Sequence, residues 1–260
     1  MSNLFVFGMG YSGSQIGALL AARGWSVEGT GRGGRIAFDD GAAVLAALAR
    51  SSHVLSSVPP ADDQDPVLVR YGEALAGRWL GYLSSTGVYG DTGGAWVDES
   101  ASIGTGRRSG RAEADARWQA LGARVFRLPG IYGPGRSALD RVLGGRAHRI
   151  DLPGQVFSRV HVDDIASGVV AATEAGLPAG AYNIADDEPA SANAVTEHAC
   201  RLLGRPFPPL QSLEEAGLSA MARGFYAENR RVANGKLKRL ANWRPRFPTY
   251  REGLVSLLKD

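Results

Sequence analysis

The pattern Gly8-Met9-Gly10-Tyr11-Ser12-Gly13 constrains this chain most, because of what flanks it. Leu4-Phe5-Val6-Phe7 before it reads as a buried first strand, and Gln15 to Gly24 after it as a helix closed by glycine. A glycine pattern between a strand and a helix is informative where an isolated one is not. Gly8 permits the tight turn, Gly10 removes the side chain that would block a pyrophosphate, and Gly13 lets helix and strand pack closely. The helix start then offers unpaired N–H groups to phosphate, with Tyr11 and Ser12 beside them. The reading is a dinucleotide-binding turn.

The chain has 260 residues, 44 % of them apolar, enough for one large α/β domain or one domain plus a small lobe. No apolar run reaches membrane-spanning length, and the chain begins directly with the first strand, which argues against a signal peptide. A single cysteine, Cys200, fits a reducing cytoplasm and reads as a packed helical residue. A net charge of +3 does not point to nucleic acid. Basic residues concentrate at Arg107 to Arg111, Arg136 to Arg149 and Arg230 to Arg246, either as solvated surface or as a cleft for anionic groups.

Short apolar runs alternate with helical patterns over the first 130 residues, the mark of a Rossmann-type, doubly wound parallel sheet. Strands are expected at Trp25 to Gly29, Arg35 to Phe38, Val54 to Val58, Trp79 to Ser84 and Arg124 to Leu128. Helices are expected at Gly41 to Arg50, Pro66 to Ala76 and 112–121. Prolines then multiply and elements shorten, with helices near 163–175, 191–204 and 250–258. We therefore expect a dinucleotide-binding domain over 1–150, with segments near 155–185 returning to it, and a smaller, interleaved α/β substrate lobe over 131–260. Asp91 to Gly106 reads as a glycine-rich surface loop near the cleft.

Strand two ends Gly29-Thr30-Gly31-Arg32, with no carboxylate at its tip to hold both ribose hydroxyls. Arg32 and Thr30 instead suit a 2′-phosphate, which favours NADP over NAD. Glu28 lies within the strand and is expected to point elsewhere. Asp39 either meets the adenine amino group or caps the next helix. Val58 and Pro59 form the loop expected beside the cofactor.

Six segments in order resemble the extended short-chain dehydrogenases/reductases, the NAD(P)-dependent epimerase/dehydratase superfamily. Leu83-Ser84-Ser85-Thr86-Gly87-Val88-Tyr89-Gly90 is similar to that family's serine-rich strand end followed by VYG. Phe126 to Gly135, which includes Pro129 and Ile131, resembles its LR…VYGPG segment, and Val160 to Ala166 its HVDD segment. Ala181 to Ile184, Asn229 to Val232 and Trp243 to Pro245 resemble its YN, NKRV and W.P segments.

The resemblance covers nearly the whole length. It implies an enzyme that uses NADP or NAD, places Ser84 near the cofactor, and makes Ser85 the serine that orients substrate oxygen. It also implies a Tyr-x-x-x-Lys pair, in which tyrosine moves the proton and lysine lowers its pKa. No tyrosine occurs between Tyr89 and Tyr132, and the alignment puts Arg107 and Arg111 at the two positions. An arginine stays protonated at neutral pH and cannot act as the acid/base. Either Tyr89 or Tyr132 takes over the proton, or the chemistry differs, or the chain is a non-catalytic NADP(H)-binding sensor or scaffold.

Sugar-nucleotide members carry an arginine four residues before the HVDD histidine. Phe157 stands there in this chain, and Arg159 lies two residues on, on the same face of an extended strand. Arg136, Arg159 and Arg230 are the candidate contacts to a small or sugar-like anionic carbonyl or alcohol substrate, or else surface residues. The resemblance implies a structural role for His161, Asp163 and Asp164, with the acids capping a helix start. His148 and His198 have no partner at metal-ligand spacing, so no metal is expected. Small-molecule substrate and homodimer partners are implied; nucleic acid and membrane are not.

Overall fold

A computed structural model describes residues 2–104, 106 and 109–258. In chain order the elements are β1 (Asn3–Phe7), α1 (Tyr11–Ala21), β2 (Ser26–Gly29), α2 (Gly41–Arg50), β3 (His53–Ser56), α3 (Pro66–Tyr71), β4 (Trp79–Ser85), β5 (Trp96–Val97), α4 (Ser109–Ala120), β6 (Arg124–Leu128), β7 (Gly130–Tyr132) and α5 (Ala138–Leu143). They continue with β8 (Arg149–Ile150), β9 (Arg159–His161), α6 (Val162–Glu174), β10 (Gly180–Asn183), α7 (Ala192–Leu202), β11 (Leu210–Gln211), α8 (Ala220–Tyr226), β12 (Arg231–Val232), α9 (Gly235–Leu240) and α10 (Tyr250–Val255). Single 3₁₀ turns cover Gly72–Leu75 and Thr86–Tyr89. Among the described residues, no helix is long and apolar enough to cross a membrane.

Six strands form one parallel sheet in the order β10-β6-β4-β3-β1-β2. Helices cover both faces, which is why the strands read as unbroken apolar runs rather than as alternation. Within β1, Leu4 and Val6 join one core with Ile16 and Leu20 of α1 and Ile165 and Val169 of α6. Phe5 and Phe7 point the other way, to Val44 and Leu48 of α2, Val67 of α3 and Trp118 of α4. The doubly wound α/β architecture expected from the sequence is present. Segments from the C-terminal half return to the sheet: β10 pairs with β6, with Ala181 opposite Val125, and α6 packs along α1.

The short parallel pairs β7–β9, β8–β11 and β5–β12 lie outside that sheet. The last of them changes the reading of Asp91 to Gly106. That stretch carries β5, and the Asn229 carbonyl accepts from the amides of Thr92 (3.1 Å) and Gly94 (2.9 Å). A second correction concerns Arg35 to Phe38, which is not a strand. Only Ile36 bridges to Thr30, and Phe38 turns inward onto Phe7 and Tyr71. The helix expected over Pro66 to Ala76 ends at Tyr71 and tightens into the 3₁₀ turn that begins at Gly72. Glu28 points away from the turn and pairs with Arg50 at 3.0 Å.

Behind the carboxyl ends of β4 and β6 lies a buried ion pair. Arg127 is 2 % exposed and Asp115 fully buried. Arg127 Nε and Nη2 donate to the two Asp115 oxygens at 3.0 and 2.9 Å, and Gln119 and Ser84 add donors at 2.7 and 2.6 Å. Every oxygen is satisfied, the condition under which a buried pair is tolerated. Asp115→Ala leaves a buried guanidinium uncompensated and is expected to cost about 3–5 kcal/mol of stability, read as a lowered urea midpoint at unchanged m-value.

Candidate functional site

The loop between β1 and α1 is built from contacts that admit no side chain. Gly8 has φ +84°, and a Cβ there would lie 2.8 Å from Ser57 Oγ. Its amide donates to Thr30 Oγ1 at 3.0 Å, and its carbonyl accepts from Ser57 Oγ at 2.5 Å. A Cβ on Gly13 would meet the Gly8 carbonyl at 2.6 Å. Gly10 is different: it is exposed, and a Cβ there would come no nearer than 4.0 Å to any neighbour. No side chain caps α1, whose N-cap is Gly10 itself. The result is a rigid loop with bare main chain on its outer side and first-turn N–H groups left for a ligand. These residues fit a dinucleotide pyrophosphate.

That loop opens onto a cavity of about 860 Å³. Gly10, Tyr11 and Ser12 line it, with Ser84 and Ser85 of β4, Arg111 of α4, and Pro129 and Ile131. The C-terminal half contributes Arg136, Arg159 and Arg230. It also contributes residues that the sequence did not mark as ligand contacts, among them Arg141, His148, Phe157, Tyr226 and Glu228. Of these, only Arg141 and His148 fall in a stretch whose composition, the basic run from Arg136 to Arg149, gave a signal. Five arginines thus face one carboxylate among the described lining residues. Arg136 stands over the Tyr11 ring at 5.7 Å. Arg230 donates to the Gly90 carbonyl at 2.6 Å and to Glu228 at 2.9 Å.

The two serines differ in polarity. Ser84 Oγ gives its proton to the Asp115 carboxylate, so toward the cavity it can only accept. Ser85 Oγ accepts from the Gly87 amide at 3.1 Å and keeps its proton for a ligand. Arg111 donates to Tyr82 Oη at 2.9 Å and Leu83 O at 3.4 Å. Burial pushes the Tyr82 phenol up to about 12.

Tyr89 is not placed at the cavity where a replacement acid would stand. It is absent from the cavity lining, 2 % exposed, and its hydroxyl is engaged by Arg127 Nη1 (3.0 Å) and Asn183 Oδ1 (2.8 Å). Burial raises its pKa. Tyr132 lines the cavity, but its hydroxyl is buried without a hydrogen-bond partner and its pKa is strongly raised by burial. Arg107, aligned with the family tyrosine, lies outside the described residues.

Several other expected contacts fall outside the cavity lining. Thr30 is buried, and its hydroxyl supports the turn instead of facing outward. Arg32 is exposed beyond the end of β2. The Asp39 carboxylate is bound by Arg70, and Asp40 caps α2. Val58 backs Gly8, with Pro59 following it. In the HVDD segment, His161 Nδ1 accepts from the Asp163 amide at 3.2 Å and so caps α6, a role expected of the acids. Asp163 instead accepts from Gln15, and Asp164 binds the Arg246 and Phe247 amides at 2.6 and 3.1 Å. Burial lifts Asp164 to about 6. No group of three or more potential metal ligands occurs among the described residues.

No protein-family model matches the chain. A functionally unknown conserved protein from Silicibacter pomeroyi DSS superposes with a TM-score of 0.87 and 40 % identity, over 99 % of this chain and 98 % of that one. The dTDP-glucose 4,6-dehydratase of Bacillus anthracis, solved with NAD, gives 0.77 at 17 % identity over 98 % and 94 %. Human epimerase family protein SDR39U1, solved with NADPH, gives 0.74 at 17 % over 98 % of each chain. A 3-diazoavenalumate denitrifying reductase from a Streptomyces species is 34 % identical over 145 residues, 52 % of this chain and 46 % of that protein, so the match spans less than half of the relative's length. The fold is that of the epimerase/dehydratase structures, a doubly wound nucleotide fold. The chain belongs to one family with the Silicibacter protein.

The two glycines make opposite demands. Gly13→Val is expected to cost about 1–3 kcal/mol through overpacking against the Gly8 carbonyl, whereas Gly10→Ala should leave thermal stability within about 0.5 kcal/mol. Paired calorimetric melts check both.

Proposed function

We propose that the protein binds NADP(H), or NAD(H) less tightly, and acts as an oxidoreductase or epimerase on a small or sugar-like anionic carbonyl or alcohol. One observation carries the reading: the bare start of α1, the free hydroxyl proton of Ser85 and the arginine-rich wall share one cavity. The fold neighbours solved with NAD or NADPH support it, and so does the reductase relative. The pyrophosphate lies against Gly10 and the α1 N-terminus. Arg32 stands beyond β2 for a 2′-phosphate, with no carboxylate at the strand tip to prefer NAD.

The nicotinamide, when bound, supplies or accepts hydride. Ser85 donates a hydrogen bond to the substrate oxygen and fixes its position. Ser84, locked as an acceptor by Asp115, receives a donor from ligand or cofactor. The Arg111 guanidinium stabilises negative charge developing on the oxygen. Arg136 and Arg159 hold the substrate anion. The sealed Tyr89 hydroxyl favours a second reading, an NADP(H)-binding protein without turnover.

Titration of NADPH by nicotinamide fluorescence tests the binding; absence of any uptake overturns both readings. Arg32→Ala should weaken NADPH about tenfold or more while changing NADH little, and equal weakening removes the 2′-phosphate assignment. Carbonyl-dependent NADPH oxidation separates the two readings, and Ser85→Ala should lower kcat/KM about a hundredfold with NADPH affinity retained.

A further inference from the structure

Arg159, on β9, lines the cavity, yet its guanidinium is held entirely by main chain. Nη1 donates to the Phe157 and Ala190 carbonyls at 2.7 and 2.9 Å, Nη2 to the Ser191 carbonyl at 3.4 Å, and the Tyr250 ring lies 6.0 Å away. Carbonyl dipoles orient a cation without neutralising it. No carboxylate comes within ion-pair distance of it among the described residues.

Behind it, in the loop after β10, sits Asp186, 2 % exposed. Its amide donates to the Arg159 carbonyl at 2.7 Å, so the two backbones are fastened together. Neither carboxylate oxygen has a well-formed hydrogen bond, and among main-chain donors the Glu188 amide bears on it. Burying an ionised carboxylate so poorly supplied with donors is costly, and such a group keeps its proton instead.

We propose that Asp186 is a positioning residue for anion recognition: protonated, it leaves the charge of Arg159 to a carboxylate, phosphate or sulfate group in the cavity, and ionised, it takes that charge for itself. The proposal rests on the reading of the cavity as an anion site and adds to it a residue that never touches the ligand.

The surroundings favour the protonated form at neutral pH. Burial raises Asp186 to about 8, against the pull of Arg159 and of the Glu188 amide. Asp187 and Glu188 on the same loop push in the same direction, though Asp187 is bound by Lys238 and Asn234, and Glu188 by Arg251. Tyr132 of β7 faces the pair with its own unpartnered hydroxyl, and Asp164 and Glu252 bear on that phenol in turn. Arg141 and Tyr250 face Arg159, which burial lowers only to about 10, so it stays charged throughout. His148, the other titratable cation in the lining, is lowered by burial and titrates below this window.

The sign follows from linkage. An anion beside Arg159 disfavours ionisation of Asp186, so binding takes up protons around pH 8, and affinity falls as pH rises through that point. Sulfate is the probe, because its own charge is constant from pH 6 to 10. Its affinity for the wild-type protein should fall about tenfold from pH 7 to pH 9. Calorimetry at pH 8 in two buffers of unlike ionisation heat should show proton uptake.

Asp186→Asn should keep the low-pH affinity and lose the slope. Arg159→Met should lose the slope together with the affinity it accompanies, leaving any sulfate held elsewhere pH-independent. A flat wild-type profile without proton uptake overturns the proposal, and so does a slope that persists in Asp186→Asn. If that variant does not fold, the wild-type proton count decides alone. NADPH titration in parallel keeps the two readings apart. Loss of NADPH binding with pH-linked sulfate intact rejects the cofactor reading only, and the converse rejects this one only.

Discussion

The contact between the Gly8 carbonyl and the Cα of Gly13 sets the rest of the structure. It brings the start of α1 against the end of β1 so closely that Gly13 cannot carry a side chain, while Gly8, at φ +84°, is closed off by Ser57 and Val58. Ser57 and Thr30, from the two strands flanking β1, close the same loop through its carbonyl and its amide. Three adjacent strands therefore hold one rigid turn. Its free side faces the cavity because everything on the other side is packed. α1 leaves that turn at an angle that lets α6 lie along it, and α6 follows directly from β9 and Arg159. The position of the arginine-rich wall relative to the glycine turn traces back to that one close approach.

The parts legible in the sequence are those that local chemistry dictates. The bounds of α2, Gly41–Arg50, match the reading because Asp40 caps its start and its apolar stripe is periodic. Arg124–Leu128 matches because a glycine turn precedes a continuous apolar run that both sheet faces bury. The glycine turn was legible because Gly8 and Gly13 each answer a steric demand within the protein, while Gly10 leaves the outer main chain bare. Arg35 to Phe38 misled because two apolar side chains with one residue between them look like a strand, whereas here they drop onto the core from a loop.

The illegible parts depend on partners far away in the chain. How the Tyr89 hydroxyl is engaged was decided by Arg127 and Asn183, 38 and 94 residues on. The roles of Ser84 and Ser85 were separated by Asp115 and by one backbone amide. Tyr226 and Glu228 reach the cavity from segments with no sustained periodicity, and no local pattern marks them. The superfamily resemblance gave the order of segments correctly but assigned the helix cap of the HVDD segment to the acids, when the histidine makes it.

The distribution of the cavity along the chain bears on how it assembles. Its first wall comes from residues 10–12 and its last from Arg230 and Val232, while the outermost sheet strand, β10, pairs only with a partner some fifty residues earlier. On a ribosome the glycine loop and its helix emerge long before β10 can dock. The growing chain must therefore carry an open sheet edge on β6 and an uncovered face of α1 until α6 and β10 arrive. Co-translational chaperone capture would concentrate on that interval.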